Sequence, residues 1–194
     1  ALHSHSLRNT GADSEQQLAC RSPSHLDQVI SVNHCIDQFD FLAAAERIKP
    51  HVRRTPMVPS ESLSEKAGVP VFLKLEHLQT TGSFKLRGAT NAISKLTADQ
   101  RKKGVVCVST GNHGRGLAYA AKKAGISCTI CMSRLVPQNK VDAIAKLGAD
   151  IRITGASQDE AQLEADRLVL DEGLVLLPPF DHPDIISGQG TLGL

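Results

Sequence analysis

Residues 105–132 read VVCVSTGNHGRGLAYAAKKAGISCTICM, and no other stretch of the sequence indicates the fold class so strongly. The continuously apolar run Val105–Val108 predicts a buried strand. A loop rich in Ser, Gly and Asn leads from it to a predicted helix at 112–124, and an apolar strand at 126–132 follows. The pattern continues with predicted helices at 138–147 and 158–171 and predicted strands at 150–153 and 174–177. Strands alternating with helices predict an α/β fold, in which a parallel sheet carries helices on both faces.

A second segment, TGSFKLRGA at residues 81–89, places Lys85 in the first turn of a helix predicted over 83–96. A lysine amine can form an imine with an aldehyde cofactor, and the N–H groups at a helix start can hold an anion. Either feature alone has an ordinary explanation. A lone lysine is most often a surface residue, and a Gly-rich turn such as STGNHG (109–114) is most often only a tight turn. That loop matches neither the dinucleotide pattern GxGxxG nor the P-loop.

Composition limits the class of protein. The 194 residues are 41% hydrophobic and 22% charged, with a net charge of +2, as in a globular chain of one large or two small domains. This charge gives no reason to expect a nucleic-acid partner or an anionic membrane. No apolar stretch in the sequence is long enough to span a bilayer.

The five cysteines form no disulfide framework, which predicts reduced thiols and a cytoplasmic location. Cys128 and Cys131 match the spacing C-x-x-C but fall within one predicted strand. Residues three apart on a strand point to opposite faces, so the pair should not bind a metal ion. We expect no metal site within this chain.

The two segments resemble a known family when they are taken together and in order. Residues 73–89, the loop at 109–114 and the run DHPDIISGQGT at 181–191 are similar to fold-type II pyridoxal-phosphate enzymes, nearest to the threonine/serine dehydratases and serine racemases. The run 109–115 further resembles the hydroxyectoine-utilization dehydratases. The resemblance implies a three-layer parallel-sheet fold like that of the tryptophan synthase β subunit, with pyridoxal 5'-phosphate as cofactor.

The resemblance also assigns roles to individual residues. Lys85 would be the catalytic residue that forms the imine with the cofactor and later takes the α-proton. Phe84 would pack against the pyridine ring, and Asn112 would hydrogen-bond the phenolic oxygen. A loop that binds the substrate, mainly through its backbone N–H groups, would consist of Ser109, Thr110, Gly111, Asn112 and His113.

The implied reaction converts a threonine-like or serine-like amino acid to a 2-oxo acid and ammonia. Thr110 occupies the position where a racemase would have a serine, so racemization is an alternative, as is β-replacement. A protein of another class, a binding module that has lost its catalysis, is a further alternative.

The same resemblance predicts a division of the chain. We expect a flexible tail at 1–33, part of a large cofactor domain at 34–87, a nearly complete small α/β domain at 88–180, and a return into the incomplete large domain at 181–194. The family's phosphate-binding glycines are not found within this sequence. We therefore expect a truncated chain that is inactive alone, and a homodimer for the complete protein.

Overall fold

The computed structural model describes residues 38–194, so the predicted tail at 1–33 and the first residues of the segment 34–87 lie outside the described residues. Residues 39–194 form one compact unit. The predicted boundary between a large-domain part and a small domain near residue 87, and the second near residue 180, stay predictions.

The first part of this unit is a helix and a small two-stranded sheet. Helix α1 (Phe41–Ile48) begins at Asp40, whose side chain accepts a hydrogen bond from the N–H of Ala43. Strand β1 (Met57–Pro59) pairs antiparallel with β2 (Phe72–Lys74), and α2 (Glu61–Ala67) lies between them in sequence. A 3-10 turn (Glu76–Leu78) leads towards Lys85.

The sequence predicts a helix at about 37–49 with Phe41, Leu42, Ala45 and Ile48 on one apolar face, and this predicted face is wrong in one respect. The helical spacing places Leu42 on the same face as Ile48, but Leu42 is 70% exposed, whereas Ala44 and Ile48 are buried. Helix α1 packs against two later helices, and the direction from which they approach determines which of its faces is buried.

The second part confirms the predicted parallel sheet. Its order is β5-β4-β3-β6, and every neighbouring pair is parallel. The strands are β3 (Val105–Val108), β4 (Cys128–Met132), β5 (Asp150–Ile153) and β6 (Val175–Leu176). The helices are α3 (Lys85–Lys95), α4 (Ala98–Lys103), α5 (Asn112–Ala124), α6 (Gln138–Ala145), α7 (Gln158–Glu172) and α8 (Pro183–Gly190), followed by a 3-10 turn (Thr191–Gly193).

Apolar side chains cover the sheet on both faces, which gives the expected three layers. Leu117 of α5 belongs to the core on one face, and Leu168 of α7 belongs to the core on the other. Cys128 packs in the first core and Cys131 in the second, so the two thiols do lie on opposite faces. Burial raises the pKa of Cys128 to about 12 and that of Cys131 to about 11, as expected of buried small apolar residues.

The helix ends follow local sequence signals. The sequence Thr97-Ala98-Asp99-Gln100 matches the capping-box pattern, and Thr97 and Gln100 form the reciprocal box at α4. At α7, Ser157 and Glu160 match the same pattern, but the box is only half formed. Ser157 accepts from the N–H of Glu160, whereas the Glu160 carboxylate accepts from the N–H of Ala156.

Candidate active site

The candidate site lies where the carboxyl end of the central strand β3 meets the starts of α3 and α5. In open parallel sheets, ligands bind outside the carboxyl ends of the strands. Helices α3 and α5 approach closely here, because a Cβ atom on Gly116 would lie only 3.3 Å from the backbone of Leu86. The approach brings the helix that begins at Lys85 alongside the helix that begins at the 109–111 loop.

Lys85 is the first residue of α3, and its side chain is half-buried. Its Nζ donates a 2.7 Å hydrogen bond to the carbonyl oxygen of Pro179. Among residues 38–194 no carboxylate pairs with this amine, and burial lowers its pKa from the ordinary value of 10.5. An amine with a lowered pKa and no counter-ion is more often unprotonated, which is the form that attacks an aldehyde.

Two aromatic rings flank the amine of Lys85. The Nζ atom is 5.4 Å from the ring centroid of Phe84 and 5.5 Å from that of Phe180. Both rings are partly exposed, Phe180 the more so. The amine therefore lies between apolar surfaces that a planar ring could contact.

The loop after β3 is organised by the hydroxyl of Ser109. Its Oγ accepts hydrogen bonds from the N–H groups of Gly114, at 3.0 Å, and Gly111, at 3.4 Å. Gly114 is required at its position, since a Cβ atom there would lie 2.9 Å from the carbonyl oxygen of Ser109. Ser109 thereby holds the loop in a tight turn and keeps its own hydroxyl proton available for donation.

The turn leaves backbone donors exposed at the start of α5. The N–H groups of Asn112 and His113 make no hydrogen bond to any of residues 38–194. Asparagine is a common N-cap, but Asn112 does not act as one, because Gly111 is the N-cap and no side chain caps the helix. Asn112 is the exposed first helical residue, so its amide side chain is not required for the helix start.

His113 differs from a typical loop histidine because it is buried. Its Nε2 lies 2.9 Å from the carbonyl oxygen of Leu177, so Nε2 carries the hydrogen and donates it. Burial, opposed by the Leu177 bond and reinforced by the nearby charge of Lys85, lowers the pKa of His113 to about 4. The neutral ring has no second N–H, so its side chain cannot donate to a carboxylate, and only its backbone N–H can.

Thr110 and Gly111 complete the loop. Thr110 is half-buried and lines a cavity of about 230 Å³ together with Met132, Ser133 and Lys140. Gly111 is exposed, and a Cβ atom there would meet nothing within 4 Å. The loop therefore does not need a glycine at 111 for steric reasons within residues 38–194.

Three buried polar atoms next to these groups make no hydrogen bond within residues 38–194. They are Thr81 Oγ1, Ser83 Oγ and His113 Nδ1. An unpaired buried polar atom costs about 1–3 kcal/mol, so such atoms point to a missing partner. Two lie in the segment just before Lys85 and the third on the first turn of α5, beside the 109–111 loop.

Sequence reasoning did not identify Pro179, Phe180 or Gln189 as site residues. Pro179 and Phe180 lie just beyond the carboxyl end of β6, which neighbours β3, and that position was the available signal. Gln189, on α8, hydrogen-bonds to the first turn of α3, and apart from the family resemblance no sequence pattern marked it as a site residue.

The described residues contain no cluster of metal ligands, and no helix among them is long and apolar enough to cross a membrane.

Comparisons with known proteins identify the family and the fold of the chain. Residues 48–194 match the family described as pyridoxal-phosphate dependent enzyme. The chain is 63% identical over 151 residues to a putative threonine dehydratase of Sinorhizobium fredii, covering 78% of this chain and 46% of that protein.

Two solved structures share the fold. The processed form of threonine deaminase isoform 2 from Solanum lycopersicum matches with a TM-score of 0.77 and 38% identity, over 83% of this chain and 44% of that one. Serine racemase from Dictyostelium discoideum matches with a TM-score of 0.74 and 36% identity, over 78% and 50% respectively. The chain thus spans about half the length of the relatives it matches or slightly less.

Proposed function

This chain belongs to the family of pyridoxal-phosphate dependent enzymes. We propose that it carries two parts of the active site of a lyase: the cofactor lysine, Lys85, and the loop 109–113 that binds the substrate carboxylate. The substrate would be a β-hydroxy-α-amino acid of the threonine or serine type, and the products a 2-oxo acid and ammonia. The similarity to a putative threonine dehydratase and to a threonine deaminase supports this reaction.

One observation carries the proposal. The Lys85 amine is half-buried between two aromatic rings, has no carboxylate partner within the described residues, and has a lowered pKa. A structural lysine would be expected to make an ion pair or to extend into water. A lysine whose amine is hydrogen-bonded only to a backbone carbonyl can break that single bond and react with an aldehyde.

The residues present fit the family's cofactor. Phe84 offers an apolar ring surface beside Lys85, and the amide of Asn112 is available to donate to the phenolic oxygen. The unpaired hydroxyls of Thr81 and Ser83 offer further donors in the segment before the lysine. When bound, the cofactor supplies an electron sink for the charge that develops at the substrate's α-carbon.

The substrate carboxylate would bind at the start of α5. The N–H groups of Asn112 and His113 and the hydroxyl of Ser109 are donors, and the helix terminus favours negative charge. His113 stays neutral and holds the Leu177 carbonyl, so that it orients the loop and does not exchange protons. Lys85, as the unprotonated amine, would take the α-proton at its Nζ atom.

Covalent trapping tests the proposal. After pyridoxal phosphate is added to the full-length protein, borohydride reduction should leave a stable mass increase on the peptide that contains Lys85, and threonine or serine should yield a 2-oxo acid and ammonia. Lys85→Arg should abolish both, while the exposed-lysine control Lys66→Arg should change neither. A mass increase spread over several lysines, with none favoured at Lys85, would contradict the proposal.

Racemization is the second candidate, and the position of Thr110 supports it. Its hydroxyl belongs to the loop that would hold the substrate and is half-buried. A second hydroxyl near the α-carbon could act as an acid on the face opposite a lysine. Chiral analysis of the amino acid recovered from a reaction in deuterium oxide would distinguish the two, because inversion with deuterium at the α-carbon indicates a racemase.

We also propose that the protein forms a homodimer and acts in the cytoplasm. Met57, Phe72 and Leu73 leave apolar side chains exposed on the β1–β2 sheet, as a contact surface would. Among the described cysteines, Cys107, Cys128 and Cys131 are all unpaired thiols, in keeping with a reducing compartment. Light scattering would test the first proposal, and localisation of a tagged protein the second.

A further inference from the structure

We propose that Gln189 is a positioning residue for Lys85, fastening the first turn of α3 so that the amine keeps its half-buried location beside Pro179. The inference rests on the proposed role of Lys85 as the cofactor lysine. It assigns to a side chain 104 positions later a role in setting the chemistry of that amine.

The side-chain amide of Gln189 bonds the first turn of α3 through both of its ends. Its Oε1 accepts from the N–H of Gly88 at 3.1 Å, and its Nε2 donates to the carbonyl oxygen of Lys85 at 3.4 Å. A regular helix would bond the Gly88 N–H to the carbonyl of Phe84, but that carbonyl accepts from Arg87 at 3.0 Å in a tighter turn. Gln189 therefore supplies the partner that the tight first turn leaves unfilled.

Two glycines allow Gln189 to reach this turn. A Cβ atom on Gly188 would lie 2.6 Å from the Cα of Gly88, and a Cβ atom on Gly88 would lie 2.8 Å from the carbonyl oxygen of Ile185. Helices α3 and α8 thus cross with their backbones nearly in contact. The crossing extends from Gly88 to Asn91 of α3, since the Cβ atom on Gly188 would also lie 2.8 Å from the Cβ of Asn91.

The same stretch of chain also holds the side chain of Lys85. Pro179, which accepts the hydrogen bond from Nζ, precedes α8 by four residues. The segment from 179 to 189 therefore contacts Lys85 at its carbonyl oxygen and at its amine. If the first turn of α3 loosens, the amine should lose its fixed distance to Pro179 and gain access to water.

A purely structural role for Gln189 is the competing explanation, and Asn91 offers a matched control. Asn91 is also an amide on the α3–α8 interface. Its Nδ2 donates to the carbonyl oxygen of Asp184 at 2.7 Å, and its Oδ1 accepts from Arg47 of α1 at 2.6 Å. It lies more than one helical turn beyond Lys85. Replacing Asn91 should weaken the packing of α3 on α8 without loosening the first turn.

The test compares Gln189→Met with Asn91→Leu in the full-length protein without added cofactor. Each substitution removes the amide and replaces it with an apolar side chain of similar length. The titration midpoint of the Lys85 amine would be followed by pH-dependent labelling with a small acylating reagent and mass spectrometry, and thermal unfolding would be recorded beside it. We expect Gln189→Met to raise the midpoint towards that of free lysine, with about a three- to tenfold fall in the unprotonated fraction at a given pH below it.

Asn91→Leu should lower the unfolding temperature and leave the Lys85 midpoint unchanged. Equal midpoints in Gln189→Met and in the wild type, or equal shifts in both variants, would overturn the inference. If Gln189→Met does not fold, Gln189→Asn provides the same test, because its amide is one methylene too short to make both hydrogen bonds.

Failure of this inference is distinguishable from failure of the proposed function. If borohydride traps no cofactor on Lys85 in the wild type, the proposed function is wrong whatever Gln189 does. If the wild type is trapped at Lys85 and the Gln189 variants show an unshifted midpoint, the proposed function stands and only the positioning role is rejected.

Discussion

The Nζ atom of Lys85 donates its hydrogen bond to the backbone carbonyl of Pro179, 94 residues further along the chain. This contact joins the start of α3 to the segment that leaves the sheet after β6. A carbonyl is a neutral acceptor and supports the ammonium form less than a carboxylate would. The amine is therefore held in place, while burial lowers its pKa.

We expect the Lys85 amine in the wild type to titrate below 10.5, the ordinary value for lysine. Burial penalises the charged form, so deprotonation needs less alkali. Reductive methylation with labelled formaldehyde, followed by NMR titration of the methyl signal assigned through Lys85→Arg, would measure it. A midpoint at or above 10.5 would show that the ammonium form is stabilised at this position.

His113 should make the fold sensitive to acid. Its pKa is about 4 in the folded protein against 6.5 unperturbed, so between these values the unfolded chain binds a proton that the folded chain does not. The free energy of unfolding therefore falls as the pH drops from 6.5 to below 4, by about 3 kcal/mol from this residue alone. Above pH 6.5 the His113 ring is neutral in both the folded and the unfolded chain, so this residue causes no loss of stability there.

The variant His113→Gln tests this sensitivity, because its amide can still donate to the Leu177 carbonyl but does not titrate. Urea unfolding at pH 7 and at pH 4 should show a smaller loss of stability in the variant than in the wild type. The difference between the two losses isolates His113 from carboxylates that titrate in both proteins. Equal losses would mean that the histidine is protonated while folded.

Local signals predicted the sheet and most helix boundaries. Apolar runs identified β3 and β4, and the Thr97 capping box identified the start of α4, because a strand's burial and a helix cap depend on residues near in sequence. Leu42 was assigned to the wrong face of α1, since the buried face of a helix depends on partners distant in sequence.

The site was only partly predictable for the same reason. Lys85 and the 109–113 loop could be selected because each has its own short pattern at the start of a helix. Pro179 and Gln189 could not, since their contacts with Lys85 depend on how the chain returns from β6 through α8. The neutral tautomer of His113 likewise depends on the Leu177 carbonyl, 64 residues away.

Removing one partner of the buried Glu76–Arg87 pair should lower the free energy of unfolding much more than replacing both partners with apolar residues. Arg87 donates from Nε and Nη2 to the two oxygens of Glu76, both at 2.8 Å, and Thr55 also donates to this carboxylate. Burial opposes ionisation, but the hydrogen bonds from Arg87 and Thr55 outweigh it and lower the pKa of Glu76. Glu76→Leu would leave the Arg87 charge buried and unpaired.

We expect Glu76→Leu to lower the free energy of unfolding by about 3–5 kcal/mol, and the double variant Glu76→Leu/Arg87→Met to recover most of that loss. The exposed pair Lys49–Glu46 is the control, and Glu46→Leu should cost less than about 1 kcal/mol. Chemical unfolding of the four proteins measures these differences. A double variant no more stable than Glu76→Leu alone would show that the pair itself stabilises the fold.

The close crossing of α3 and α8 should not tolerate a methyl group at Gly188. A Cβ atom there would lie 2.7 Å from the carbonyl oxygen of Arg87 and 2.6 Å from the Cα of Gly88, and backbone atoms cannot yield without moving a helix. Gly188→Ala should therefore destabilise the protein by about 1–3 kcal/mol, as overpacking does. Gly193→Ala is the matched control, since a Cβ atom at that position meets nothing within 4 Å.

Because the shifted helix carries Gln189, Gly188→Ala should also raise the titration midpoint of Lys85, whereas Gly193→Ala should not. A stable Gly188→Ala protein with an unshifted midpoint would mean that the two helices can separate without disturbing the lysine.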